Sequence, residues 1–131
     1  MLFRSIVGFP DETDDEFARS LAFCAETGFA RMHVFRYSRR PGTIAATAAG
    51  QVDPHVMAAR SREMRGLARR MRYAEAMRLV GTDQFVVVQY PGRGVSGGLF
   101  DVLVDPCVPV DSLIRIQVSA VRDDGTLVGR A

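Results

Sequence analysis

The hydrophobic repeat of this chain changes once, at Val80-Gly81, and the change demands two kinds of structure in one polypeptide. Beyond Gly81, apolar and polar residues alternate at a period of two, in runs at 84–90, 99–104, 113–121 and 126–129. Pro91-Gly92, Gly97-Gly98, Asp105-Pro106 and Asp123-Asp124-Gly125 separate these runs, and all are residue pairs or triplets that turn readily. Residues 81–131 are therefore expected to form a small all-β module, a compact barrel of OB-like size.

Before Gly81 the signals are those of a strand, a helix and a second strand. Residues 3–9 are apolar apart from Arg4 and Ser5, with β-branched Ile6 and Val7, and end at Gly8-Phe9-Pro10, where proline cannot continue a ladder. Thr13 and Glu16 have capping-box spacing, and Phe17, Leu21, Cys24 and Ala25 follow along one helical face, up to a stop at Gly28. Met32, His33, Val34 and Phe35 resume a strand, so the spacing predicts a right-handed βαβ unit with parallel pairing. Such a unit leaves both strand edges open and covers little core, which is expected of the end of a larger α/β sheet. Asp53-Pro54 then caps a long helix over 54–79, after a weakly structured alanine-rich stretch. Met57, Met64 and Met71, with Leu67 and Ala74, form its apolar seam. The expected fold class is thus α+β overall: a partial α/β βαβ unit in 1–53, a long Arg-rich connecting helix in 54–80 and the β module in 81–131.

Charge and cysteine content narrow the chemistry. All seventeen basic residues are arginine, and the helical piece 54–80 carries seven of them against two Glu. Arg62, Arg65, Arg69 and Arg72 follow a spacing of three and four and make a basic stripe, a solvated face or a set of RNA phosphate contacts. The β module has four Arg against six Asp, so an RNA-binding surface there must gather Arg93, Arg115, Arg122 and Arg130 on one side. Phe100 and Tyr90 are candidate base-stacking platforms or core residues. Cys24 and Cys107 belong to no CxxC pair, and His33 and His55 have no partners at metal-ligand spacing, so no metal site is expected. The absence of a signal-peptide pattern and of a long apolar run reads as a cytoplasmic chain with no membrane partner.

Three blocks in order carry a resemblance. They are Ile6-Val7-Gly8-Phe9-Pro10-Asp11-Glu12-Thr13, then His33-Val34-Phe35-Arg36-Tyr37-Ser38-Arg39-Arg40-Pro41-Gly42-Thr43, then the arginine-rich helix with its terminal β module. Together they resemble the C-terminal part of a radical S-adenosylmethionine methylthiotransferase of the MiaB-like, tRNA-modifying group. The His-Val-Phe-x-Tyr-Ser form is similar to the branch that acts on threonylcarbamoyladenosine beside the anticodon. The resemblance implies that 1–53 are the last βα units of a radical SAM barrel and 81–131 a tRNA-binding TRAM domain. It places Val7, Gly8, Phe35, Arg36 and Tyr37 beside S-adenosylmethionine, with tRNA held by Arg62, Arg65, Arg69, Arg72, Arg93 and Arg115.

The sequence also departs from that pattern. It carries Arg4 where the family usually has Asp and Asp11 where it has Gly, and it lacks the Cys-x-x-x-Cys-x-x-Cys that holds the family's catalytic 4Fe-4S cluster. No catalytic residue is therefore assigned. The chain alone is expected to be inactive and to hold neither cluster nor S-adenosylmethionine stably. The competing reading is a stand-alone, non-catalytic RNA-binding protein that forms homo-oligomers through its exposed parallel strand edges.

Overall fold

A computed structural model describes residues 2–131. Its contacts divide the chain into two compact units that meet in sequence at Met71 and Arg72. The first holds β1 (Leu2–Val7), α1 (Asp14–Thr27), β2 (Arg31–Arg36) and a short helix α2 (Ile44–Thr47). The long helix α3 (Pro54–Arg78) begins in the first unit and ends in the second. The contact division thus falls within α3, nine residues before the change of hydrophobic period at Val80-Gly81.

In the first unit β1 and β2 pair in parallel, with Arg4 opposite His33 and Ile6 opposite Phe35. The capping box forms as the spacing predicts: Glu16 N–H donates to the Thr13 hydroxyl at 3.1 Å, and Glu16 carboxylate accepts from Thr13 N–H at 3.1 Å. Gly28 closes α1 in the left-handed region, at φ 67°. Alternation along the strands sends Phe3 and Val7, Met32 and Val34 to one face, where they pack with Phe17, Cys24, Phe29 and Met64. Among the described residues, Arg4, Ile6, His33 and Phe35 on the opposite face of the sheet are exposed.

Asp53 caps α3 through its Oδ1, which accepts from His55 N–H at 2.8 Å. Of the expected seam, Met64 is fully buried, and Leu67 and Met71 pack against the first core. Ala74 is exposed instead, and Ala76 is the residue that enters the second core. The sevenfold repeat drifts relative to a helix of 3.6 residues per turn, and the last turns of α3 are buried by a different set of neighbours.

The second unit is a closed barrel of five strands in the order β3-β4-β5-β7-β6: β3 (Asp83–Tyr90), β4 (Arg93–Ser96), β5 (Asp101–Leu103), β6 (Leu113–Val121) and β7 (Leu127–Arg130). All pairs are antiparallel except β5 with β7. Val86, Val88, Val102, Ile116, Val118 and Leu127 fill the interior with Ala76 and Phe100. The sequence shows no signal for β4, because its inward residues are Gly94 and Ser96 and the apolar alternation is missing. Leu99, read as the start of a strand, sits in the turn before β5 at φ 62°. Among the described residues no helix is long and apolar enough to cross a membrane.

Candidate nucleic-acid interface

The four arginines of the α3 stripe do not share one environment. Arg62, Arg65 and Arg69 are exposed, and Arg65 also donates to the carbonyl of Val34 at 3.3 Å. Arg72 belongs to the second unit, where its guanidinium lies 3.8 Å from the centre of the Phe100 ring and donates to the carbonyl of Leu99. It is thereby committed to holding the turn before β5. Phe100 is buried beneath it and is a core residue, not a stacking platform.

The barrel presents a polar groove, of about 240 Å³, at the mouth of the β3–β4 turn and the β6–β7 turn. Tyr90, Arg93 and Arg122 line it together with Gln89, Asp101 and Asp124. Tyr90 is two-thirds exposed, so its ring is available to a ligand where that of Phe100 is not. Asp124 accepts from the backbone N–H of Thr126 at 2.9 Å, which holds its carboxyl below the ordinary value. The two Asp residues leave the groove without a net positive charge. Arg115 lies elsewhere, opposite Phe85 on the β3–β6 face, in an exposed ion pair with Asp83. The barrel therefore brings Arg93 and Arg122 together in one groove, and Arg115 and Arg130 together in another.

The first unit carries a second groove, of about 690 Å³, on the uncovered face of its sheet. Phe35, Arg36 and Tyr37 line it, as do Arg4, Ile6 and Phe9. Val7 and Gly8 do not. Val7 turns its side chain into the core, 1% exposed, and alternation leaves Ile6 facing the groove in its place. Gly8 has φ 76°, and a Cβ there would lie 2.5 Å from Met57 Cγ, so close packing on α3 accounts for the glycine. Sequence spacing could not distinguish Ile6 from Val7, since strand direction reveals alternation but not which face is covered.

The loop 8–13 is tied down by a buried guanidinium that the sequence did not single out. Arg60 donates to the Glu12 carbonyl and carboxylate, both at 2.9 Å, and to Asp14 at 2.8 Å. Glu12 also accepts from Gly8 N–H at 3.0 Å. Burial opposes the charge on Arg60, but the hydrogen bonds and charges of Asp14 and Glu12 outweigh it and hold the guanidinium above its ordinary pKa.

The cysteines of this chain do not fit the cluster of the resembling family. Three thiolates are needed for a radical SAM cluster. The chain has two cysteines, one of them buried in the first core, where burial pushes the Cys24 thiol up and away from the thiolate. The ionisable residues that line the sheet groove are Arg4, Arg36, Arg40 and Tyr37, with no carboxylate among them.

Comparison with known proteins gives relatives along most of the chain, although no family model matches it. A tRNA-2-methylthio-N(6)-dimethylallyladenosine synthase of Bartonella bacilliformis is 32% identical over 120 residues, covering 87% of this chain and 26% of the relative. A ribosomal protein uS12 methylthiotransferase RimO of Roseiflexus castenholzii is 39% identical over 97 residues, 74% of this chain and 20% of the relative. A second dimethylallyladenosine synthase, from Corynebacterium jeikeium, is 39% identical over 88 residues, 67% of this chain and 17% of the relative. The chain thus spans about a quarter or less of the length of these curated relatives.

Proposed function

Because this chain is a homologous piece of the MiaB- and RimO-type methylthiotransferases, we propose that it is the RNA-holding C-terminal portion of a tRNA-modifying enzyme of that kind. On this reading β1, α1 and β2 are the last βα units of a radical SAM barrel, and the five-stranded barrel is an OB-like TRAM module that grips tRNA. In an intact tRNA-modifying member, S-adenosylmethionine and 4Fe-4S clusters would supply the chemistry that methylthiolates the adenosine. With two cysteines this chain does not supply the cluster that reaction needs.

The observation that supports RNA holding is the groove of the closed barrel, where the sequence-distant Tyr90, Arg93 and Arg122 meet beside two turns. A stackable ring flanked by guanidiniums suits a nucleotide base and its phosphate. The exposed Arg62, Arg65 and Arg69 of α3 supply further phosphate contacts, which compensate for the acidic balance of the barrel. The test is binding of the full chain to unmodified tRNA across a salt series. Affinity should fall steeply with salt, and Arg93→Glu with Arg122→Glu should weaken it by about tenfold or more. Salt-independent binding, or binding of a uS12-type ribosomal protein in preference to tRNA, would sink the reading.

A second reading draws on the sheet of the first unit. Among the described residues it has only β1 and β2, so each strand keeps one unpaired edge. If the chain acts alone, these edges pair with another copy, and it works as a non-catalytic RNA-binding oligomer. Sedimentation equilibrium decides this: a strict monomer at high protein concentration removes the second reading.

A further inference from the structure

We propose that the groove at the β3–β4 and β6–β7 turns of the barrel selects guanine, with Asp101 as the residue that sets the choice. This rests on the RNA-holding reading and deepens it by naming the base. The strand register builds the site on the outer surface of the barrel. Tyr90 of β3 pairs with Arg93 of β4, and Val95, two residues further along β4, pairs with Asp101 of β5. Side chains two apart on a strand share a face, so Arg93 and Asp101 are diagonal neighbours on adjacent strands. All three residues are exposed and line the groove of about 240 Å³, a space that suits a single base. A ring, a guanidinium and a carboxylate thus stand in order across three neighbouring strands.

The carboxylates are what a plain phosphate site does not explain. Each weakens the attraction for a polyanion, so a groove built for phosphate alone is expected to carry none. Asp124 has a local reason to be there: it accepts from the Thr126 amide, and the charge of Arg122 helps to hold its carboxyl ionised. Asp101 has no such role. Among the described residues it is in no ion pair, and neither is Arg93. An ionised carboxylate offers two acceptor oxygens and no donor. Guanine is the standard base whose pairing edge presents two adjacent donors, N1–H and the 2-amino group, to match them. Adenine, cytosine and uracil each place an acceptor beside their donor on that edge, and it repels a carboxylate oxygen. The O6 and N7 atoms of guanine accept from a guanidinium through two parallel bonds, and Arg93 is the arginine left for them. Stacking on the Tyr90 ring adds affinity for any base, so the choice among bases falls to Asp101 and Arg93.

The test measures binding of the full chain to short oligouridylates that carry one central guanine, hypoxanthine, adenine or uracil. The guanine probe should bind at least about tenfold more tightly than the adenine and uracil probes. Hypoxanthine keeps N1–H but lacks the 2-amino group, and its probe should fall between them. Asp101→Asn turns one acceptor into a donor, so it should abolish the preference by weakening guanine binding while adenine binding is unchanged or tighter. If that variant loses its native circular dichroism, Asp101→Ser carries the same test. Arg93→Lys keeps the charge and should keep the salt slope, while guanine affinity falls several-fold as the paired contact to O6 and N7 is lost. The proposal is overturned if adenine binds as tightly as guanine, or if Asp101→Asn retains the full preference. Equal binding of all probes with a steep salt slope overturns the choice of base and leaves RNA holding in place. Failure of every probe and of tRNA to bind removes both, so the two readings fail distinguishably.

Discussion

Arg60 stands two residues from Arg62 in a helix crowded with arginine, yet it is a buried anchor and its neighbour is a surface charge. Its side chain is 8% exposed and that of Glu12 13%, while Asp14 is 96% exposed, so the pair with Glu12 carries the energetic weight. Removing one partner of a buried pair strands the other, and Arg60→Ala should cost about 3 kcal/mol in urea denaturation. Arg60→Met combined with Glu12→Leu should recover much of that loss, because neither charge is then left buried; a double variant as unstable as Arg60→Ala would refute this account. Gly8 makes a second residue-level case. Gly8→Ala meets both a left-handed backbone and Met57, and should destabilise by about 1–3 kcal/mol. Shortening Met57 should relieve the contact but not the backbone term. The sequence marks Gly8 as special and is silent on Arg60, since spacing records a residue's face on its own helix but not what packs there.

Among the elements, α1 was fully legible, because its start and stop are local: Thr13 and Glu16 close the cap, and Gly28 ends it. Thr13→Ala should cost about 1 kcal/mol, read from the shift in chemical denaturation midpoint. The barrel depends on contacts that no local pattern announces. A Cβ at Gly129 would lie 2.4 Å from Ile116 Cδ1 and 2.8 Å from the carbonyl of Gln117, so β7 approaches β6 more closely than any side chain allows. Gly129→Ala should therefore destabilise the barrel by about 1–3 kcal/mol or prevent its closure, seen as lost amide protection in β6 and β7. The β6–β7 turn adds a pH dependence. Its Asp124 carboxyl titrates below the ordinary carboxylate value because the Thr126 amide donates to it. The stability it lends is complete above the ordinary carboxylate pKa, about 3.9, and disappears as pH falls through the lower folded value. Asp124→Asn should remove that acid-range dependence of Thr126 amide exchange; an unchanged profile would assign it to another group.

At the scale of the whole molecule there are two cores, one built on Met64 and one on Ile116 and Leu127. Met64→Ala should cost about 2–5 kcal/mol and speed hydrogen exchange in β1, α1 and β2, while amides of β3 and β6 stay protected. Uniform acceleration in both sets would show that the units unfold as one. The sequence by itself determined the elements whose causes are local: the capped helix α1, the parallel βαβ order, the proline-led start of α3 and the switch to period two. The kinship with methylthiotransferases was also readable in it, because ordered motif blocks survive without any knowledge of contacts. Only the tertiary structure decided that β4 exists, that Phe100 belongs to the barrel interior with Arg72 over its ring, and that Ile6 rather than Val7 faces the groove. It alone brought Tyr90, Arg93 and Asp101 into one groove. These are outcomes of pairing and burial between residues far apart in the chain, and a periodicity names the two faces of an element without saying which one is covered.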